Sequence, residues 1–174
     1  MINSIKKQQT ILWSLLLSML FCFGAQAFGR APQALEISAS DEQQILEEAG
    51  IMRAGSYYKA AGCDDHLNVE LLLVDLNGDK RAEVILRVTG SPCFSGMMQS
   101  NIGIYVRSSQ GKWRDTLGFL PAFGVRVQEA KTKGYADIVL TVLGGCDPLY
   151  RWTGGSYYYA DQVPAYDGAK CNGR

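Results

Sequence analysis

Three things are scarce in this sequence, and each scarcity removes a class of function. Charge of one sign is not in excess, since 17 Lys and Arg stand against 17 Asp and Glu; nothing in that balance recommends nucleic acid or an acidic membrane surface as a partner. Long apolar runs are missing: Ile11 to Phe23 is about 13 residues, against the roughly 20 that cross a bilayer, so no permanent membrane anchor is expected. Histidine occurs once, as His66 in "GCDDHLN". Asp64, Asp65 and His66 suggest a metal or acid–base group, but neighbours on an extended chain point to opposite faces, and a working site needs partners from elsewhere. The Gly-x-Ser-x-Gly elbow, the zinc-protease helix and the phosphate loop are all lacking. No enzymatic activity is expected, and none of the 17 acidic residues singles itself out as a glycosidase carboxylate.

What is present begins with a targeting pattern. Lys6 and Lys7 precede the apolar run, and Ala25-Gln26-Ala27 supplies the small residues a signal peptidase needs, so residues 1–27 read as a signal peptide and the mature chain starts at Phe28. Cys22 follows Phe21 rather than a small residue, which argues against a lipid-modified cysteine. Losing Lys6 and Lys7 leaves 15 basic against 17 acidic side chains. The product is expected in the periplasm or secreted. It keeps Cys63, Cys93, Cys146 and Cys171, an even set in a compartment that permits oxidation, and two disulfides follow, in any of three connectivities.

One segment has a helical signature. Ser40 with Gln43 fits a capping box, Asp41 and Glu42 suit the positive start, and Ile45, Leu46, Ala49 and Met52 share a face; Gly50 or Gly55 closes the helix, which should cover about residues 40–53. Then come short β-rich runs between turn residues: "VELLLVD", "AEVILRV", "NIGIYVR", "KWRDTL", "GVRVQ", "ADIVLTV", "PLYRW" and "SYYYA". The fold class is mainly β and antiparallel, residues 28–174 forming one domain with an N-terminal helix.

An offset of 54 residues lays Ala82-Glu83-Val84-Ile85-Leu86 on Ala136-Asp137-Ile138-Val139-Leu140. Both copies read as strand, Cys-bearing loop, strand, tight turn, strand, giving two related β units, at about 69–117 and 123–160, that bury their apolar faces on one another. "DLNGDKRAEVIL", with its partner "KGYADIVL", resembles the units of FG-GAP and VCBS repeats, blade-forming β modules of secreted proteins whose acidic loop binds calcium. The resemblance implies a calcium site made of Asp75, Asn77 and Asp79 side chains, the Arg81 carbonyl and Glu83. Lys80 stands where such loops have glycine, Leu86 occupies the twelfth position, and the second copy offers Lys131 and Lys133 instead of acids. The plainer reading makes Asn77-Gly78 a turn pair, with Asp75 and Asp79 satisfying loop amides.

Two features point to binding. Tyr57, Tyr58, Tyr150, Trp152, Tyr157, Tyr158 and Tyr159 are interface-type aromatics, and alternation along "SYYYA" should bury Tyr158 while exposing Tyr157 and Tyr159, or the reverse. The turn Arg107-Ser108-Ser109-Gln110, ahead of Gly111 and Lys112, carries small polar side chains at its tip. An exported, disulfide-stapled β protein with such a turn resembles the periplasmic immunity proteins of type VI secretion amidase effectors. That resemblance implies a non-enzymatic inhibitor whose partner is a cell-wall amidase, with Ser108 and Ser109 meeting the toxin's catalytic residues. The competing reading is a calcium-binding FG-GAP-like module of the cell envelope.

Overall fold

The computed structural model describes residues 34–92, 100–167 and 169–171; Cys93 lies outside them. The helix, α1, spans Ala39–Glu48. Its N-cap is Ser38 rather than Ser40: the Ser38 hydroxyl accepts from the Asp41 N–H (3.1 Å), and the Asp41 carboxylate accepts from the Ser38 N–H (3.0 Å). Either serine has the cap chemistry, but Asp41 at the third position is also held by Trp113 and Arg107, which fixes the earlier register. Gly50, at φ 69°, closes the helix. Met52, expected on the buried helical face, lies instead in a strand and is 48% exposed.

That strand, β1 (Ile51–Ala54), forms a hairpin with β2 (Tyr57–Ala60), neither of which the helical spacing foretold. Gly55 takes φ 68° at the first of two loop positions, as a type II′ turn requires, and Ala54 pairs with Tyr57 across it. The remaining strands are β3 (Cys63–Val74), β4 (Glu83–Thr89), β5 (Ser100–Arg107), β6 (Trp113–Asp115), β7 (Leu120–Pro121), β8 (Gly124–Thr132), β9 (Tyr135–Thr141), β10 (Cys146–Trp152) and β11 (Tyr157–Pro164). Each of the β-rich runs named above overlaps one of these strands, while the two-residue β7 lies in none of them. The fold is mainly β: a seven-stranded curled sheet in the order β1-β2-β3-β4-β5-β6, with β7 also on β5, and a four-stranded sheet in the order β11-β10-β9-β8. All pairings are antiparallel.

The pleat sorts the core into two layers. Val84, Leu86 and Val88 of β4, with Tyr105 and Trp113, meet Ile45 and Leu46 of α1. Ile85, with Ile102 and Ile104, faces Ala136, Ile138, Leu140 and Trp152 of the second sheet. Strand β4 is thus covered on both faces, which is why "VIL" runs apolar without alternating. Burying each such side chain stabilises the fold by about 1.5–3 kcal/mol. The stretches related by the 54-residue offset are β4 and β9, each the second strand of an up-and-down meander, β3–β6 and β8–β11. Backbone bonds tie the sheets together: Ala136 N–H to Leu76 C=O (2.8 Å) and Tyr157 N–H to Thr116 C=O (2.7 Å).

Strand β11 departs from the expected alternation. Tyr157 is buried at 6% exposure, while Tyr158 and Tyr159 are both exposed. Tyr157 and Tyr159 do share a face, but β11 is an edge strand that runs beyond the core. Tyr159 there makes an edge-to-face contact with Tyr150, with centroids 6.2 Å apart. Cys146 and Cys171 form a disulfide with Cα atoms 5.7 Å apart, and Cys63 is also disulfide-bonded. Among the described residues, no helix is long and apolar enough to cross a membrane.

Candidate functional site

The acidic loop joins β3 to β4 and is wound on its own side chains. Asp75 accepts from the Gly78 N–H (2.6 Å) and, through its other oxygen, from the Lys80 N–H (3.0 Å). Asn77 Oδ1 accepts from the Asp79 N–H (2.7 Å), and Asp79 from the Arg81 N–H (2.8 Å). This winding puts Lys80 at φ 67°, a left-handed conformation that costs a residue with a Cβ about 1–2 kcal/mol. Burial alone would raise the Asp75 carboxyl, but the Gly78, Lys80 and Asp79 amides, with the Lys131 charge, hold it below the usual carboxylate range.

Glu83 is the buried end of the loop, at 4% exposure. The pleat puts it on the same face as Ile85, toward the second sheet. Its carboxylate accepts from the Leu76 N–H (2.7 Å) and from Asn77 Nδ2 (3.2 Å), and Asn77 Nδ2 also donates to the Tyr135 hydroxyl (3.1 Å). Desolvation pushes the Glu83 carboxyl up to about 7, against the pull of the Leu76 amide, with Asp79 and Asp75 adding to the rise.

In this structure the oxygens of these positions are not turned toward one point. A calcium cage needs several hard oxygens converging on one point. Here Glu83 turns into the sheet junction, Asp75 and Asn77 face loop amides, and the Lys131 ammonium lies 3.3 Å from where a Cβ on Gly78 would stand. Among the described residues, no three His, Cys, Asp or Glu side chains gather closely enough to hold a metal ion. The loop is a clasp between the two sheets, with Lys131 close by as its positive charge.

The turn between β5 and β6 is anchored at both ends. The Arg107 guanidinium bonds to Asp41 and lies over the Trp113 ring, 5.0 Å from its centroid. The Ser108 N–H donates to the Lys112 C=O (2.8 Å), and the Ser108 hydroxyl accepts from the Lys112 N–H (3.2 Å). Gly111, at φ 80°, completes the turn. Of the four residues picked from sequence, Arg107 and Ser108 build the turn, while Ser109 and Gln110 are exposed at its tip. Asp41 beneath it is pushed up by desolvation but held at about 2 by hydrogen bonds from Trp113 and Ser38 and by the Arg107 charge.

The histidine segment has structural partners. Asp65 accepts from the Ser91 hydroxyl, and the His66 ring stacks on Tyr57 with centroids 3.9 Å apart. Of the aromatics, Tyr157 is a core residue whose hydroxyl donates to the Ala136 C=O (2.9 Å), and Trp152 stacks on Tyr135 at 4.3 Å.

Sequence reasoning missed a groove of roughly 520 Å³ between α1 and the β1–β2 hairpin. Glu42, Gln43, Leu46 and Glu47 line one wall and Met52 and Tyr58 the other. The helical stripe was visible as spacing, but its opposite wall was a hairpin that the sequence did not announce. Comparison with known protein families, curated proteins and solved structures finds no match to this chain.

Proposed function

We propose that the chain is a non-enzymatic binding protein of the periplasm or the extracellular space, and that it inhibits a cell-wall hydrolase of the amidase kind. The observation that carries the reading is the anchored β5–β6 turn. Arg107 is held by Asp41 and Trp113, and Ser108 by Lys112, so Ser109 and Gln110 are presented on a backbone ordered before any partner arrives. A pre-ordered tip loses little conformational freedom on binding, which is what occlusion of a cleft requires. The residues of the histidine segment have structural partners: Cys63 is in a disulfide, Asp65 accepts from Ser91, and His66 is stacked on Tyr57. The disulfides suit an oxidising compartment.

The test is inhibition. The oxidised protein, mixed with amidases purified from the same cell envelope and from neighbouring bacteria, should slow peptidoglycan cleavage by one of them at a one-to-one ratio. Ser109→Arg should weaken that inhibition at least tenfold while leaving the melting temperature unchanged, because Ser109 makes no contact that builds the turn. Amidase rates untouched by the native protein, or equal inhibition by Ser109→Arg, would overturn the reading.

A further inference from the structure

We infer that the groove between α1 and β1 is a second docking surface, which takes an extended, lysine- or arginine-rich segment of a partner protein. It extends the reading of the chain as a binding protein but does not depend on the β5–β6 turn.

Charge makes the first argument. The helix reads "ASDEQQILEE", with four acids and no base. Asp41 is matched by Arg107, but none of the ion pairs among the described residues uses Glu42, Glu47 or Glu48. Glu47 and Glu48 lie at the negative end of the helix dipole, where the last turn holds no basic residue and acids are disfavoured. Arg53, the cation among the lining residues, stands over the Tyr58 ring, 6.0 Å from its centroid. Glu42 accepts from the Tyr58 hydroxyl (3.4 Å) and Glu47 from Gln43 Nε2 (2.8 Å), both neutral donors, so the acidic wall is short of positive charge.

Shape makes the second argument. Met52, 48% exposed, gives the groove its open apolar surface, above the buried Leu46 and Ile51. Long basic side chains suit it, since their stems can cover Met52 while their heads reach Glu42 and Glu47. Among the described residues β1 pairs with β2 alone, and its other edge carries no described strand. Edge addition is a common way of capturing an extended peptide. The occupant that meets all three conditions is extended, cationic and interrupted by apolar residues.

The experiment uses a fluorescent hexapeptide of alternating lysine and valine, with a glutamate–valine peptide as its counterpart. The native protein should bind the lysine peptide in an anisotropy titration, at least tenfold more tightly than the glutamate one. Affinity should fall at least tenfold in Glu42→Lys/Glu47→Lys, and amide shifts should map to residues 39–53. Should the double variant not fold, Glu47→Gln should still weaken binding about threefold. Ser109→Arg should bind the peptide normally, which separates this surface from the inhibitory turn. Equal binding of both peptides, no loss in the variants, no binding at all, or shifts centred elsewhere would overturn the inference.

Discussion

Glu83 makes the fold less stable as the pH rises, and the size of the loss can be worked out. Its carboxyl titrates near 7 in the fold, against 4.5 in the unfolded chain, because desolvation outweighs the hydrogen bond from Leu76. The folded state therefore keeps a proton that the unfolded chain has already released. The stabilisation is complete below about 4.5 and is lost as the pH climbs through about 7, a total of about 3 kcal/mol. Glu83→Gln removes the titration while keeping an acceptor for the Leu76 N–H. Urea unfolding of both proteins from about pH 4 to about pH 8 gives the assay, the quantity of interest being native minus variant stability. That difference should fall by about 3 kcal/mol across the range. A difference that stays flat, or that rises with pH, would refute the claim that the sheet junction desolvates this carboxyl.

Asp41 behaves in the opposite sense: with a carboxyl held at about 2, its contribution is present above the ordinary value of 3.8 and lost as the pH falls through 2. Asp41→Asn should cost about 1–2 kcal/mol near neutral pH and less below about pH 3, read by the same unfolding assay. Calcium should leave the melting temperature unchanged to within about 1 °C, since the loop is wound on its own amides; a clear rise over chelator would restore Asp75, Asn77, Asp79, Arg81 and Glu83 as ligands. Replacing Cys146 and Cys171 by serine should cost about 3.5 kcal/mol for a loop closed over a separation of 25 residues, measured by calorimetry under non-reducing conditions.

Most strands were legible because β-branched and aromatic residues run between turn residues, and from β3 on every strand but the two-residue β7 overlaps one of those runs. The first hairpin was not, because Met52 continues the spacing of Ile45 and Ala49, and only the left-handed Gly50 breaks the helix before it. Glu83 read as a loop acid, since nothing local says that its strand is covered on both faces. Its burial comes from the second sheet, whose Tyr135 is 52 residues on. The unannounced hairpin hid the groove, and distance left the β5–β6 turn half understood: the anchoring of Arg107 depends on Asp41, 66 residues earlier.

That long reach has a consequence for the order of assembly. Helix α1 is among the first described parts to be synthesised, yet Arg107 and Trp113, which grip its capping aspartate, lie 66 and 72 residues downstream. Until they arrive, a helix of 10 residues has little to hold it, because isolated helices this short are marginal in water. The first-made element is therefore among the last to settle, and a chain interrupted before β6 presents no finished N-terminal surface to a partner. Binding through α1 thereby reports that the first meander is complete.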